Sequence, residues 1–272
     1  MPNPREVSYD TVADVALHYA RPPVAPYGSR GRQFTFFSTR TLRDTFAAAL
    51  DELADVCPHG RPEVLTSAGT FVSKPGQHGK GQAIDVDAIF WSDRTFVTDF
   101  YLTDTRFYLA VESVFRRHFG LVLNYLYNNA HHDHLHMDLG VPVGFSTGSR
   151  SRVLYVQASL THVHDRPVLI DGIWGNQTAG AIDDVLSDLG LTGSITNKNT
   201  WLAYLDRTAR LGFGQAETEA DPTPADLLDQ LFQVIDGLDL ATEHDHKIQG
   251  ALDLFVAHPD TMTWLDTFRE GS

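Results

Sequence analysis

The sequence has a single cysteine, Cys57, which excludes an internal disulfide bond. Because Cys57 follows a helix-like run and precedes Pro58, we interpret it as buried structure rather than as a nucleophile. No apolar run approaches the roughly 20 residues that cross a membrane. The first residues also lack the basic start and apolar stretch of a secretory signal peptide. Lysine and arginine are not clustered, so we expect neither a nucleic-acid nor a membrane partner.

The acidic residues are spread unevenly along the 272-residue chain, whose net charge is -14. From residue 215 onward there are 13 acidic and 2 basic residues, a balance of -11, against 22 acidic and 19 basic residues, a balance of -3, before it. A helix start at Thr223-Pro224 precedes apolar residues at helical spacing, namely Leu227, Leu228, Leu231, Phe232, Ile235 and Leu238. We predict a linker at residues 212–224 and an acidic helical tail, either packed against the rest or docking a partner.

The first chemical motif is HGKGQAIDVD, from His78 to Asp87. From Gln82 the residues alternate like a half-buried strand, with Ile84, Val86 and Ala88 on one face and Asp85 and Asp87 on the other. Carboxylates are depleted in strands and costly on a face that packs. Two of them on one face favour a cation or a wet cleft over an ordinary edge strand.

The second motif is HHDHLHMDLG, from His131 to Gly140. His134, His136 and Asp138 share one face of a predicted strand, and Leu135 and Met137 lie on the other. Two strands of this kind can point imidazole and carboxylate groups into a common cleft. Two histidines and one aspartate make a three-ligand site with a position open for water, as a catalytic zinc requires.

A single HxH pair would be weak support for a metal site, because the same spacing occurs twice more. His162/His164 and His244/His246 lie in no apolar-alternating strand, and we interpret them as solvated or turn histidines. The two long motifs together favour zinc.

These residues also resemble a known family. The run from His78 to Asp85 is similar to the HxxGxAxD-type signature of the peptidase M15 group, and NNAHHDHLHMDLG resembles its extensin-like branch. The resemblance covers roughly residues 41–143. It implies zinc ligands His78, Asp85 and His136, with Asp133 as general base and His134 as an oxyanion-stabilising or proton-handling group.

Strict strand alternation would place Asp133 on the other face of the strand from His136. The base role therefore requires the turn to end at about His134, so that Asp133 reaches the site from the loop. Family members commonly carry an arginine upstream of the first ligand that binds a substrate carboxylate. The stretch from Thr66 to Gln77 has none, and Lys74 or Lys80 is the candidate substitute, without the bidentate fork of arginine.

A second resemblance follows at residues 149–213. The segment SRVLYVQASL, the turn DGIWG and a helix from about Gln177 to Leu189 are similar to a three-helix peptidoglycan-binding module. The hallmark turn implies substrate contacts from Asp171, Gly172 and Trp174. The alternative is a plain helical linker domain in which Trp174 is core.

The expected fold class is α+β, in which a small antiparallel sheet with flanking helices holds the zinc site. Residues 1–148 form the zinc peptidase domain, 149–213 the three-helix wall-binding module and 214–272 the acidic helical tail. We expect a zinc enzyme that cuts peptide stems or cross-bridges of peptidoglycan. The alternatives are a non-catalytic peptidoglycan-binding protein with a structural zinc, and a zinc enzyme on another substrate, such as a D,D-dipeptidase acting on small peptides or a Hedgehog-like fold without peptidase activity.

Such an enzyme acts in the periplasm or the extracellular cell wall. Without a signal peptide it must leave the cell by lysis or a specialised secretion system, as a phage endolysin or an antibacterial effector toxin does. Lysins often carry basic surfaces that favour the anionic wall, whereas this chain is acidic. We therefore favour a delivered effector, whose tail would contact delivery machinery or an immunity protein.

Overall fold

A computed structural model describes residues 3–218 of the chain. The predicted tail helices and the His244/His246 pair lie outside the described residues. Within the described part, none of the helices is both long and apolar enough to cross a membrane.

The described chain has an α+β fold, as predicted, with five helices and two sheets. The strands are β1 (Val7–Tyr9), β2 (Thr11–Val12), β3 (Val15–Tyr19), β4 (Arg32–Gln33), β5 (Phe36–Ser38), β6 (Val64–Gly69), β7 (Ala83–Phe90), β8 (Thr95–Val97), β9 (Leu121–Leu123) and β10 (Leu135–Asp138). The helices are α1 (Arg40–Val56), α2 (Thr105–His118), α3 (Arg150–His162), α4 (Asn176–Asp188) and α5 (Lys198–Thr218).

The main sheet runs in the order β2-β3-β6-β7-β10-β9, with β4 beside β3 and β8 beside β7. All its pairs are antiparallel except β3 with β6. Strands β1 and β5 form a separate antiparallel ribbon. The two predicted motif strands, β7 and β10, are neighbours in the middle of the main sheet, so their chemistry-bearing faces meet.

Helices α1 and α2 cover one face of this sheet. Thr39 caps α1 by accepting from the amide of Leu42, and Asp104 caps α2 by accepting from the amide of Phe107. The buried stripe of α1 has helical spacing and comprises Leu42, Phe46, Ala49, Leu50 and Leu53. It packs in one core with the apolar faces of β7 and β10. The opposite faces of those strands are left for the polar residues.

A bulge changes the face of β7 near its end. Thr66 of β6 pairs with Ala88, but the next residue, Ser67, pairs with Val86, so Asp87 is extra on β7. Ile84 and Val86 point into the main core, as predicted. Ala88 instead belongs to a second, small cluster, so its predicted place on the face of Ile84 is wrong.

Helices α3, α4 and α5 share the main core with the sheet and its covering helices. Phe213 of α5 packs edge-on against Phe107 of α2, with ring centroids 5.1 Å apart. Tyr155 of α3 hydrogen-bonds Ser113 of α2. Residues 149–213 therefore bury much of their apolar surface against the preceding part of the chain. Because α5 continues to Thr218, the predicted linker is wrong over residues 212–218.

Candidate metal centre

Three side chains meet on the polar face of the sheet, as the ligand set implied by resemblance requires. His78 lies on a 3-10 turn (His78–Lys80) just before β7, Asp85 lies on β7, and His136 lies directly opposite Asp85 on β10. His78 Nε2 is 3.1 Å from Asp85 Oδ1 and 3.2 Å from His136 Nδ1, and His136 Nδ1 is 2.8 Å from Asp85 Oδ1. This buried His-Asp-His group can hold a metal ion.

The size of the triangle is compatible with a small tetrahedral ion. Nitrogen and oxygen ligands at 2.0–2.1 Å from a tetrahedral ion lie about 3.3–3.4 Å from one another. The observed separations of 2.8–3.2 Å between the three ligand atoms are close to these ligand–ligand distances. Three protein ligands would leave a fourth position of such an ion for water or substrate.

Hydrogen bonds to the other ring nitrogens fix the orientation of both imidazoles. His78 donates from Nδ1 to the carbonyl of Thr70 at 2.6 Å, which leaves Nε2 for the metal. His136 donates from Nε2 to Asp138 Oδ2 at 3.2 Å, which leaves Nδ1 for the metal. Asp138 is itself buried and accepts from the amide of Gly140 at 2.7 Å. Partners of this kind position metal ligands. From the sequence, Asp138 was predicted only to share a strand face with His136.

Asp85 and His136 form an ion pair across the two strands. Burial raises the pKa of the Asp85 carboxyl, but hydrogen bonds from His136 and His78 outweigh it and hold that pKa well below the ordinary range. Burial lowers the pKa of His136, but Asp138 and Asp85 outweigh it and raise the pKa to about 9. A metal ion bound by Nδ1 of His136 would take the place of a proton there.

Asp133 and His134 lie beside this triangle. The turn ends at His134 and β10 begins at Leu135, so Asp133 reaches the site from a loop. Its Oδ1 accepts from His134 Nδ1 at 2.7 Å, and its carbonyl accepts from the hydroxyls of Tyr27 and Thr98 at 2.6 and 2.8 Å. Because Nδ1 of His134 is engaged, Nε2 faces the ligands and lies 3.7 Å from Asp85 Oδ1.

Arg21 is the main site residue that the sequence analysis missed. It donates from Nε and Nη2 to the two oxygens of Asp87, at 2.9 and 2.7 Å, and from Nη1 to Asp133 Oδ2 at 2.6 Å. Burial raises the pKa of Asp133, but hydrogen bonds from His134 and Arg21 outweigh it and hold that pKa below the ordinary range. Arg21 follows β3, far upstream of the stretch in which an arginine was expected. The one signal for it was Asp87, a carboxylate on a packed face that needed a cation.

The lysines considered as substitutes do not reach this network. Lys74 and Lys80 are exposed, and Lys74 lines a surface pocket with Pro4, Phe71 and Gly79. Within residues 3–218, neither lysine side chain makes a hydrogen bond or ion pair with the metal triangle.

His131 is a second missed residue at the site. Its ring lies 5.2 Å from that of His134 and 5.7 Å from that of His136. Nδ1 donates to Asn128 Oδ1 at 2.7 Å, which fixes the ring and leaves Nε2 free to accept. Burial, together with His134 and His136, lowers the pKa of His131 to about 4, so the ring is neutral at neutral pH.

The DGIWG turn is held by Gln157 of α3. The Gln157 side chain donates to Asp171 Oδ1 at 2.9 Å and accepts from the amides of Asp171 and Gly172 at 3.1 and 2.8 Å. Ile173 is 68% exposed, whereas Trp174 is half-buried and packs on Phe145 with ring centroids 5.1 Å apart. The turn thus presents Ile173 outward and uses Trp174 as packing.

Other histidines with the same spacing lie elsewhere. His162 is exposed at the end of α3, and His164 contacts Thr208 Oγ1 at 2.9 Å. This agrees with their interpretation as solvated or turn residues.

The comparisons with known proteins bear on the sheet and its ligands. A search of curated proteins and a search of solved structures each gave no significant match. Residues 47–145 match the family model described as Extensin-like protein C-terminus. The match runs from within α1 past β10 and includes His78, Asp85, Asp133 and His136, but it extends neither to Arg21 nor to residues 149–213. The part of the chain that carries the metal triangle is therefore similar to an extensin-like, peptidase M15-related domain.

Proposed function

We propose that the protein is a zinc-dependent peptidase that hydrolyses peptide stems or cross-bridges of peptidoglycan. The observation that carries this proposal is the buried triangle of His78, Asp85 and His136 beside the Asp133–His134 pair. Its similarity to an M15-related domain supports the reaction class. Two imidazoles and one carboxylate are a common ligand set of catalytic zinc in peptidases.

Zinc held by these three residues would supply the positive charge that polarises a scissile carbonyl and lowers the pKa of a bound water to about 7. Proton handling falls to Asp133 and His134. Asp133 is kept ionised by Arg21 and His134, and its hydrogen bond to Nδ1 directs Nε2 of His134 toward the ligands. Since both oxygens of Asp133 are engaged, we assign general-base catalysis to the pair rather than to Asp133 alone.

Residues 149–213 support attachment to the wall in this proposal. The turn from Asp171 to Gly175 is rigidly held by Gln157, and Leu169 and Ile173 beside it are 67% and 68% exposed. An exposed apolar pair on a fixed turn suits contact with a polymer. The site of action is then the bacterial cell wall.

The test is digestion of purified sacculi by the full chain loaded with zinc, followed by mass analysis of the released fragments. Fragments cut at peptide bonds are expected from the wild type. His136→Ala should lose both bound zinc and release of fragments. His162→Ala is the matched control, because it removes an exposed histidine of an HxH pair away from the site.

Two results would contradict the proposal. Zinc-loaded wild type that pellets with sacculi but releases nothing would indicate a binding protein with a structural metal. Hydrolysis of short dipeptides without attack on sacculi would indicate a dipeptidase.

A further inference from the structure

Arg150 is an exposed arginine whose orientation is fixed from two sides. Its Nη1 donates to the carbonyl of Tyr127, and its guanidinium lies over the Tyr127 ring, 5.6 Å from the centroid. Gly172 lies behind it, where a Cβ would be only 2.8 Å from Arg150 Cγ and 3.2 Å from Nε. Gly172 also has φ +76°, a left-handed conformation that favours glycine. The predicted binding turn therefore shapes the position of Arg150.

This arginine retains most of its hydrogen-bonding capacity. A guanidinium has five N–H donors, and Tyr127 accepts from one nitrogen of Arg150. Within residues 3–218, Arg150 has no carboxylate within ion-pair distance, unlike Arg21, which is held by Asp87 and Asp133, and Arg166, which pairs with Asp188. A fixed, exposed and unpaired guanidinium is suited to a bidentate carboxylate ligand.

A chain of ring contacts links Arg150 to the metal ligands, beginning with its own 5.6 Å contact to the Tyr127 ring. The Tyr127 ring is 6.0 Å from the His131 ring, and the His131 ring is 5.7 Å from that of the ligand His136. Because an extended peptide advances about 3.3–3.6 Å per residue, these steps correspond to no more than about five residues of bound substrate. A bound peptide of about five residues is therefore long enough to span the distance from the metal triangle to Arg150.

We propose that Arg150 forms an anion subsite that binds a free carboxylate of the peptide substrate, within about five residues of the scissile bond. This inference rests on the proposed peptidase function. Peptidoglycan stems offer such groups, at the α-carboxylate of a γ-linked glutamate and at the C-terminus. Arg150 is then a specificity-determining residue, and Tyr127 and Gly172 position it.

The experiment uses two synthetic peptides and the full-length, zinc-loaded protein. One peptide is L-Ala-γ-D-Glu-L-Lys-D-Ala-D-Ala with free carboxylates, and in the other both carboxylates are amidated. Wild type should have at least a tenfold higher kcat/KM for the free acid. Arg150→Gln should lose this preference through a higher KM, with kcat within about twofold of wild type. Arg166→Gln, which removes an exposed arginine at a distant ion pair, should retain it.

Calorimetry separates failure of this inference from failure of the proposed function. If wild type hydrolyses neither peptide, tighter binding of the free acid that is lost in Arg150→Gln still supports the subsite. Equal binding of the two peptides by wild type overturns it, as does an unchanged preference in Arg150→Gln. Arg150→Lys keeps the charge but not the fork, so an intermediate KM is expected. If Arg150→Gln melts at a lower temperature than wild type, the KM of Arg150→Lys for the free-acid peptide tests the subsite instead.

Discussion

Arg21→Gln is the substitution whose consequences follow most directly from the structure. Asp87 is completely buried and receives two charge-assisted hydrogen bonds from Arg21, at 2.9 and 2.7 Å. Glutamine cannot supply the charge, so the variant leaves a carboxylate in the interior without a counter-ion. Removing one partner of a buried ion pair costs about 3–5 kcal/mol. Because the Arg21 side chain is 25% exposed, we expect a loss near the lower end, about 3 kcal/mol, at pH 8.

The loss should depend on pH, with a sign fixed by the direction of the pKa shift. Burial already raises the pKa of Asp87 to about 6 against the opposing effect of Arg21, and without Arg21 this pKa rises further. In the unfolded chain the group titrates near its ordinary value of about 3.9. The folded variant therefore binds more protons than the unfolded chain, and its stability falls as pH rises from about 4 through the folded-state pKa. At pH 5 the cost relative to wild type should be about 1 kcal/mol, because Asp87 is then largely protonated.

Urea unfolding at pH 5 and pH 8 measures both quantities. The matched variants are Asp87→Asn and the double variant Arg21→Gln/Asp87→Asn, in which neither position carries a charge. At pH 8 the double variant should be more stable than Arg21→Gln alone. An equal loss at both pH values, or no recovery in the double variant, would refute the view that an unpaired Asp87 charge is the cause.

Three further outcomes are expected around the metal and the turn. Zinc binding at pH 7.5 should release a proton from His136, whose pKa is raised to about 9, and calorimetry in buffers of different ionisation enthalpy should show this component disappearing above pH 9. A constant release up to pH 10 would contradict the assignment. Asp138→Asn should weaken zinc binding by about 10–100-fold in chelator competition, and an unchanged affinity would show that His136 needs no such support. Trp174→Ala should lower the free energy of unfolding by about 2–3 kcal/mol, because it truncates a half-buried aromatic, while sedimentation with peptidoglycan is retained. Ile173→Ala should keep the stability of the wild type but sediment less with peptidoglycan. Loss of sedimentation in Trp174→Ala but not in Ile173→Ala would show that Trp174, not Ile173, contacts the polymer.

Local patterns were sufficient to predict the strands that carry the ligands. In β7 and β10 each side chain's face follows from period-two alternation, so Asp85 and His136 could be expected on one cleft before any pairing was known. The bulge at Asp87 depends on how β6 pairs with β7, and alternation within β7 alone placed Ala88 on the wrong face.

Residues contributed from distant parts of the chain could not be predicted in this way. Arg21 follows β3 and contacts Asp87 on β7, with β6 between these two strands, and no spacing in the sequence links the two positions. Small and acidic residues suggested a linker after Gly212, but packing of Phe213 on Phe107 keeps this stretch in α5. The sequence of the turn left open whether Trp174 is core or contact, and its half-buried packing on Phe145 favours a part in the core.

The shared core of residues 3–218 has a consequence for how a wall polymer would be processed. A hydrolase domain joined to its wall-binding module by a flexible linker can reach bonds over a range of distances that the linker length sets. Here α2 contributes side chains to the same core as α3 and α5, so the Ile173 turn and the metal triangle keep a constant separation. Under the proposed function, the distance between the wall-contact turn and the metal triangle would be fixed, whereas a flexible linker would let that distance vary. Each attachment would expose only those bonds that lie at one fixed distance from the point of contact.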